Sequence, residues 1–164
     1  MFFQRGLIIA VISLILDQLN KWYMINVINI SDNPTEFGPF LNLVMVWNTG
    51  ISFGMFHGSE YGSIVFSVVS TIIVIILLFW LAKTDSLFNS VSIGLVIGGA
   101  VGNIVDRIRY GAVADFFDFH IAGYHWPAFN VADVSVSIGA IMLCIGSFFC
   151  NECTDGAKQN HEKK

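Results

Sequence analysis

Four long apolar stretches divide the chain, and polar segments separate them. A helix needs about 20 residues to cross about 30 Å of hydrocarbon, and the four stretches approach that length at residues 6–27, 62–82, 91–108 and 131–150. The pattern predicts a bundle of four transmembrane helices with both termini on the same side of the membrane.

The first apolar stretch follows Arg5, as the core of a secretory signal peptide would. No small-x-small cleavage site comes after it, and the stretch leads instead into a polar end with Asp17, Gln18, Asn20 and Lys21. Because further long apolar segments follow, we expect a retained first span rather than a removed signal peptide.

The composition is also that of a protein surrounded by lipid. Hydrophobic residues make up 55% of the 164 residues and charged residues only 12%, which lies outside the usual range of soluble domains. The net charge of -4 includes no basic cluster suited to nucleic acid. Three cysteines, Cys144, Cys150 and Cys153, crowd one end of the last span, where they form no disulfide framework; we expect them to be reduced, although a C-x-x-C pair can also bind metal or be acylated.

The distribution of cations predicts the orientation. Five lie on the side of the termini and the second loop, at Arg5, Lys83, Lys158, Lys163 and Lys164, against three on the other side, at Lys21, Arg107 and Arg109. Positive residues favour the cytoplasmic side. We therefore expect cytoplasmic termini, including the charged tail 151–164, and external segments at residues 28–61 and 109–130.

Both external segments are rich in aromatic residues, which favour the membrane interface. Between Phe37 and Trp47 the aromatic and β-branched residues predict a short strand or hairpin on the membrane surface. A polar, glycine-bearing turn follows at residues 48–54. The second segment, with Phe116, Phe119 and Trp126 among its rings, is expected to lie at headgroup depth.

Glycines repeat every four residues in the third span, at Gly94, Gly98 and Gly102, with Gly99 beside them. Such a smooth stripe lets a second helix approach closely. We expect a helix contact at Gly94, whereas Gly98 and Gly102, nearer the polar end, are also candidates for making room for substrate.

Ionisable and amide side chains collect at the predicted outer face, where each is a functional candidate because a charge inside a membrane is costly. The set comprises Asp17, Lys21, Asn103, Asp106, Arg107, Asp115, Asn130 and Asp133. The i, i+4 spacing favours a structural ion pair between Asp17 and Lys21, and puts Asn103 and Arg107 on one face. The guanidinium of Arg107 suits backbone carbonyls, lipid oxygens, or a carboxylate such as Asp106.

Most motifs of hydrolytic enzymes have no match in this sequence. The sequence contains neither Gly-x-Ser-x-Gly nor His-Glu-x-x-His, and the cysteines fall on the opposite side from the polar cluster. A zinc site at Asp118, His120 and His125 has no obvious fourth ligand. Two aspartates remain, because a close pair of carboxylates can share a proton and act as base and acid without metal or cofactor. Asp115 and Asp133 are our candidates, with Asp106 and Asp118 as rivals on spacing alone.

The motifs resemble those of lipoprotein signal peptidases. Two strings carry most of the likeness, Asn103-x-x-Asp106-Arg107 leading to Val113-x-Asp115-Phe116, and Phe129-Asn130-x-Ala-Asp133. Two more are Asp17-Gln-x-x-Lys21 and Asn48-Thr-Gly50-x-x-Phe53-Gly54. Together they are specific and cover nearly the whole chain in order.

The resemblance implies that Asp115 and Asp133 form the catalytic dyad. It makes the remaining motif residues polar supports or substrate contacts, namely Asn48, Gly50, Gly99, Asn103, Asp106, Arg107 and Asn130, with Asp17 and Lys21 in the surrounding network. It implies an all-α, four-helix membrane fold with a small external β-cradle and a helix-bearing surface loop. The expected protein is a monomer of the bacterial cytoplasmic membrane, inhibited by globomycin, that removes signal peptides from diacylglyceryl-prolipoproteins on the amino side of the lipidated cysteine.

Two other functions are weighed against this one. A small transporter or channel subunit would need polar groups at several depths, whereas spans two to four are nearly free of charge away from the outer face. A presenilin or prepilin type of protease would place an aspartate in Gly-x-Gly-Asp, which neither aspartate matches.

Overall fold

The computed structural model describes residues 1–50 and 61–161, with the side chains of residues 1–50 and 62–147. Four helices are present in this part of the chain: α1 Phe2–Asn26, α2 Tyr61–Lys83, α3 Leu87–Tyr110 and α4 Val131–His161. The strands are β1 Thr35–Glu36, β2 Leu41–Asn48, β3 Val113–Ile121 and β4 Tyr124–His125. The helical backbone of α4 continues beyond the end predicted at residue 150.

The helices are those of a membrane protein. Among the described residues, α1, α2 and α3 are long and apolar enough to cross a bilayer, and α2 is the most hydrophobic, with a mean hydropathy of 3.0. α4 begins with a shorter apolar part, Val131–Ser147. α3 packs against all three other helices and is the axis of the bundle. Its lipid-facing neighbours leave large side chains exposed, as Ile76 of α2 does.

The glycine stripe of α3 is a helix contact, and its partner is α1. A Cβ atom at Gly94 would collide with the backbone carbonyl of Gly6, and one at Gly98 with that of Ala10. At Gly102 the obstacle is the side chain of Asp17. The predicted close approach is therefore confirmed, but the idea that Gly98 and Gly102 make room for substrate is wrong, since α1 fills that space.

A second glycine contact joins α3 to α4. A Cβ at Gly99 would meet the carbonyl of Ala132 at the start of α4, and one at Gly139 would meet the carbonyl of Ser92. Because a backbone cannot yield as a flexible side chain does, Gly99 fixes how closely the first turn of α4 lies to α3.

The two polar segments combine into one antiparallel sheet of order β1-β2-β3-β4. β2 pairs with β3 from Leu41↔Phe119 to Asn48↔Val113, with an irregularity between Leu43 and Val46. The hairpin predicted in the first segment is confirmed by the β1–β2 pairing. Its main partner strand, however, comes from the other segment, about 70 residues along the chain.

The fold is thus not purely helical, and the described part of the second segment forms strands. Its mixed aromatic residues favour β-structure, and the turn into β4 uses the positive φ angles of Ala122 and Gly123, 49° and 83°. A helix-bearing surface loop is not found in residues 28–50 or 109–130. Residues 51–60, and with them the predicted turn beyond Gly50, lie outside the described residues.

The cysteines add no cross-link to the described structure. Cys144 is a free, exposed thiol on α4. The side chains of Cys150 and Cys153 lie outside the described residues, so their expected reduced state stays a prediction.

A single glycine joins α3 to β3. Gly111 adopts a left-handed φ of 74° and its N–H donates to the carbonyl of Arg107, which ends the helix. Left-handed glycine is a common helix terminator because it carries no Cβ. The next residues, Ala112 and Val113, are buried, and the chain enters the sheet at once.

Gly98→Ala tests the packing of α1 on α3. Helix propensity alone favours alanine by about 1 kcal/mol, but crowding against the Ala10 carbonyl should cost roughly 1–3 kcal/mol. We expect the variant to melt at a lower temperature in detergent. Val11→Ile, which also adds one carbon but at an exposed position of α1, is the control. A Gly98→Ala protein that melts above the parent would show that the contact is looser than described.

Candidate active site

The side chains of Asp115 and Asp133 line the same cavity. Asp115 lies in β3 and Asp133 in the first turn of α4, and both line a cavity of about 950 Å³ together with Asn48. The other predicted support residues are not in its lining. The cavity continues between apolar side chains of the β3–β4 hairpin and of α4, including Trp126 and Ile138.

Two amides hold the carboxyl group of Asp115, which is only 1% exposed. The Nδ2 atom of Asn48 donates to Oδ2 at 2.9 Å. The Nδ2 atom of Asn130 donates to Oδ1 at 2.7 Å. Each oxygen therefore has a neutral donor, which orients the group without adding a charge.

Asp133 and Asn130 form a reciprocal cap at the start of α4. The Oδ1 atom of Asn130 accepts from the Asp133 N–H at 3.0 Å, and the Asn130 N–H donates to Oδ2 of Asp133 at 3.1 Å. This is a capping-box arrangement, with Asp133 in the third helical position. The other oxygen of Asp133 accepts from Asn103 Nδ2 at 2.8 Å. Asn130 is thus bonded to both aspartates.

Asn48 is oriented by Gly50. The Gly50 N–H donates to Oδ1 of Asn48 at 2.8 Å, which turns the Nδ2 atom towards Asp115. Gly50 has a φ of 95°, and a Cβ at this position would collide with the ring of Phe66. Both the backbone conformation and the space therefore require glycine in this motif.

A buried ion cluster lies beside the carboxylate pair. The ammonium group of Lys21 is 2.9 Å from Oδ2 of Asp17 and 2.7 Å from Oδ2 of Asp106. Lys21 also donates to Oδ1 of Asn103 at 3.1 Å. The predicted ion pair of Asp17 and Lys21 is present, and Asp106 joins it. The amide of Asn103 is thereby turned so that its Nδ2 atom faces Asp133.

The same cluster holds the backbone next to each aspartate. Asp17 accepts from the N–H of Ala132 at 2.8 Å, and Asp106 accepts from the N–H of Ala114 at 3.2 Å. These alanines precede Asp133 and Asp115 in the sequence. Two carboxylates of the cluster therefore fix the main chain of both segments that reach the cavity.

Gln18 completes the cluster, although sequence reasoning gave it no role. Its Nε2 atom donates to Asp17 Oδ2 at 3.1 Å, to Asp106 Oδ1 at 3.0 Å and to the carbonyl of Gly102 at 3.3 Å. The available signal was its position between Asp17 and Lys21, since an amide in a membrane span needs partners as a charge does.

Arg107 does not pair with Asp106, contrary to one of the options above, because Lys21 already occupies that carboxylate. Its guanidinium lies over the ring of Phe66, 5.7 Å from the centroid. Its NH1 atom is 3.5 Å from the carbonyl of Asn103, so the expected interaction with a backbone carbonyl is present.

The rivals to the aspartate pair have other partners. Asp106 is part of the ion cluster. Asp118 lies 2.8 Å from Nδ1 of His125, and hydrogen bonds from His125 and Asn42 outweigh the effect of burial and hold its pKa below the usual value. His120 stacks on His125 with ring centroids 5.2 Å apart.

Burial raises the pKa of the Asp115 carboxyl to about 6. The nearby negative charge of Asp133 acts in the same direction, while hydrogen bonds from Asn48 and Asn130 and the charge of Lys21 oppose it. A carboxyl group with this pKa exists in both protonation states near neutral pH. That property is typical of a group that transfers protons.

The chain matches known proteins along most of its length. A family model described as signal peptidase II matches residues 9–149. A lipoprotein signal peptidase of Anaplasma phagocytophilum (strain HZ) is 43% identical over 138 residues, covering 84% of this chain and 88% of the relative. One from Anaplasma marginale (strain Florida) is 41% identical over 152 residues, covering 92% and 89%. A solved bacterial membrane enzyme superposes with a TM-score of 0.74 at 36% identity, covering 87% of each chain.

The fold and site thus define a helical membrane protein with paired carboxylates at the mouth of its bundle. The matches identify it more closely: the chain belongs to the signal peptidase II family. Its members cleave signal peptides from prolipoproteins, so the predicted resemblance and the classification as a protease are confirmed. The transporter or channel alternative is not supported.

The raised pKa of Asp115 predicts a pH-dependent stability. The carboxyl holds its proton more tightly in the folded chain than at the model value of 3.8, so its contribution is complete below about pH 4 and is lost as the pH rises through 6. The loss is on the order of 3 kcal/mol. Asn at this position stays neutral. The melting temperature of Asp115→Asn minus that of the parent should therefore increase from pH 4 to pH 8. Asp32→Asn, at an exposed loop position, is the control, and an unchanged difference for Asp115→Asn would contradict the burial effect.

Proposed function

We propose that this chain is an intramembrane aspartyl endopeptidase that removes the signal peptide from diacylglyceryl-modified prolipoproteins, cutting on the amino side of the lipidated cysteine. Membership of the signal peptidase II family supports the reaction class. The observation that carries the proposal is that Asp115 and Asp133, from separate elements, share Asn130 and line one cavity.

The environments of the two carboxyl groups support different roles for them. Asp133 lies in the first turn of α4, where the helix N-terminus favours a negative charge, and it is the base that takes a proton from the attacking water. Asp115, with its pKa raised to about 6, is the acid. Its O–H donates a hydrogen bond to the oxygen of the scissile carbonyl and then transfers that proton to the leaving nitrogen, while Asp133 keeps the proton taken from water. No metal or cofactor is needed in this scheme.

The surrounding polar residues support this chemistry in different ways. Asn48, Asn103 and Asn130 hold the carboxyl oxygens in place, and Gly50 orients Asn48. Gly99 brings the first turn of α4 close to α3. Arg107 is a cation close enough to interact with both carboxylates, and we assign it to contacts with substrate carbonyl or lipid oxygens.

We further propose four spans, with α4 as the last and both termini in the cytoplasm. The antiparallel sheet then lies on the outer face of the bacterial cytoplasmic membrane as a cradle. A site at this depth suits a lipidated substrate, because the acyl chains remain in the bilayer while the peptide bond meets water. We expect a monomer that is blocked by globomycin-type cyclic peptides.

Replacement of either proposed catalytic residue should abolish processing. Asp115→Asn and Asp133→Asn each remove a proton-transfer group, which is worth roughly 10²–10⁴-fold in rate. The measurement is cleavage of a diacylated prolipoprotein by the purified chain, with and without globomycin, and with melting to verify folding. Asp32→Asn should process normally. An Asp115→Asn or Asp133→Asn protein that cleaves at the parent rate would remove the dyad from the mechanism.

The orientation is tested by labelling from outside the cell. After Cys144, Cys150 and Cys153 are replaced by serine, single cysteines are introduced at Ser31, in the loop before β1, and at Asp85, between α2 and α3. A membrane-impermeant maleimide should label position 31 in intact spheroplasts and position 85 only after lysis. The reverse pattern would invert the proposed topology.

A further inference from the structure

Asp118 is a second buried acid on β3, and the dyad does not use it. The residue is 8% exposed. Its Oδ2 atom accepts from Nδ2 of Asn42 at 3.2 Å, and Nδ1 of His125 lies 3.0 and 2.8 Å from its two oxygens. Because an ionised carboxylate can only accept, Nδ1 carries the proton. One side chain thus links β2, β3 and β4.

The element held by this link is weakly paired by its backbone. β4 is two residues long and pairs with β3 at His120↔His125 and Ile121↔Tyr124. One further backbone bond follows it, from the N–H of Trp126 to the carbonyl of Phe119 at 2.7 Å. A strand this short at a sheet edge gains little from ladder bonds. The charge-assisted bonds of Asp118 and the stacking of His120 on His125 therefore do much to set the position of the hairpin.

The hairpin forms one wall of the cavity. It contributes Phe119, Ile121, Tyr124 and Trp126 to the lining, together with the rings of His120 and His125, and α4 contributes Val134 and Ile138. Tyr124 and Trp126 leave most of their surface uncovered, at 81% and 69%. An apolar wall of this kind is suited to an apolar group of a substrate.

A backbone bridge separates this wall from the dyad. Phe117 and Phe129 exchange two hydrogen bonds, N–H to carbonyl in both directions, at 2.9 and 3.1 Å. Asp115 and Asn130 lie on one side of this bridge, and the hairpin with Asp118 and His125 lies on the other. A displaced hairpin should therefore leave the geometry of the carboxylates unchanged.

We propose that Asp118 and His125 are positioning residues that hold the apolar cavity wall against the substrate, and so determine KM while the dyad determines kcat. This inference rests on the proposed function. The group recognised is apolar and belongs to the lipidated precursor, as either an acyl chain or a side chain beside the scissile bond.

The test is steady-state cleavage of a synthetic diacylated lipopeptide by the full chain. Asp118→Ala and His125→Ala should raise KM about tenfold, the effect of losing one hydrogen bond, with kcat within about twofold of the parent. Asp32→Ala, in the exposed loop before β1, should match the parent in both constants.

Asp118→Asn is the conservative variant. Its Oδ1 atom can accept from His125. A 180° turn of the Asn42 amide, whose Nδ2 atom faces Asp118 in the parent, lets Oδ1 of Asn42 accept from the new amide; that oxygen is buried and has no hydrogen-bond partner among the described residues. KM should therefore stay close to that of the parent. A KM as high as in Asp118→Ala would overturn the positioning role.

Two substrate changes identify the apolar group. One lipopeptide has shortened acyl chains, and another has alanine in place of an apolar residue before the cysteine. One of these substrate changes should raise KM for the parent but leave KM for His125→Ala unchanged. Equal penalties in parent and variant for both substrates would overturn the proposal.

Folding and the proposed function are checked separately. His125 has an exposed side chain, so His125→Ala keeps the test decisive even if Asp118→Ala fails to fold. Unchanged KM in His125→Ala, or a loss confined to kcat, would refute the proposal while the parent still cleaves. A parent that cleaves no lipopeptide would instead refute the proposed function.

Discussion

One buried ammonium group organises the end of the bundle. Lys21 forms salt bridges with Asp17 on its own helix and with Asp106 on α3, and those two carboxylates accept from the backbone N–H groups of the residues that precede Asp133 and Asp115. Removing one partner of a buried ion pair leaves an uncompensated charge, which is strongly destabilising. The cluster therefore couples the stability of the helix bundle to the placement of β3 and α4.

The site next to this cluster uses amides instead of charges. Asn48, Asn103 and Asn130 supply the side-chain donors that reach Asp115 and Asp133. A cation in direct contact would favour ionisation of both carboxylates, whereas neutral donors give direction with less electrostatic bias. The charged scaffold is thus separate from the pair of carboxyl groups that we propose exchanges a proton.

Local patterns in the sequence predicted a good part of this structure. The apolar stretches indicated helices, the glycine period indicated a close helix contact, and the i, i+4 spacing indicated the pair of Asp17 and Lys21. The pairing of β2 with β3 was not predicted, because register between distant strands depends on tertiary packing. The salt bridge between Lys21 and Asp106 was not predicted for the same reason, because it depends on which face α3 presents to α1.

The resemblance of the motifs to those of a known family identified the pair of aspartates, which the spacing of residues alone could not do. Asp115 and Asp133 are 18 positions apart on different elements, and local periodicity does not bring such residues together. Their common partner Asn130 belongs to a helix cap, which is a local feature, but its second contact to β3 is tertiary. The hydrogen bonds that join Asn42, Asp118 and His125 were not predicted, because the three residues lie on three different strands.

The short junction between α3 and β3 couples the position of β3 to the orientation of α3 in the bilayer. Only Gly111 and Ala112 separate the helix from the strand, so β3 must follow any reorientation of α3. Helices tilt when their apolar length and the hydrocarbon thickness differ, and Asp133 moves with a different helix from Asp115. For the proposed dyad, we therefore expect the separation of the two carboxyl groups to depend on the lipid composition of the membrane, and turnover to vary with the acyl-chain length of the host bilayer.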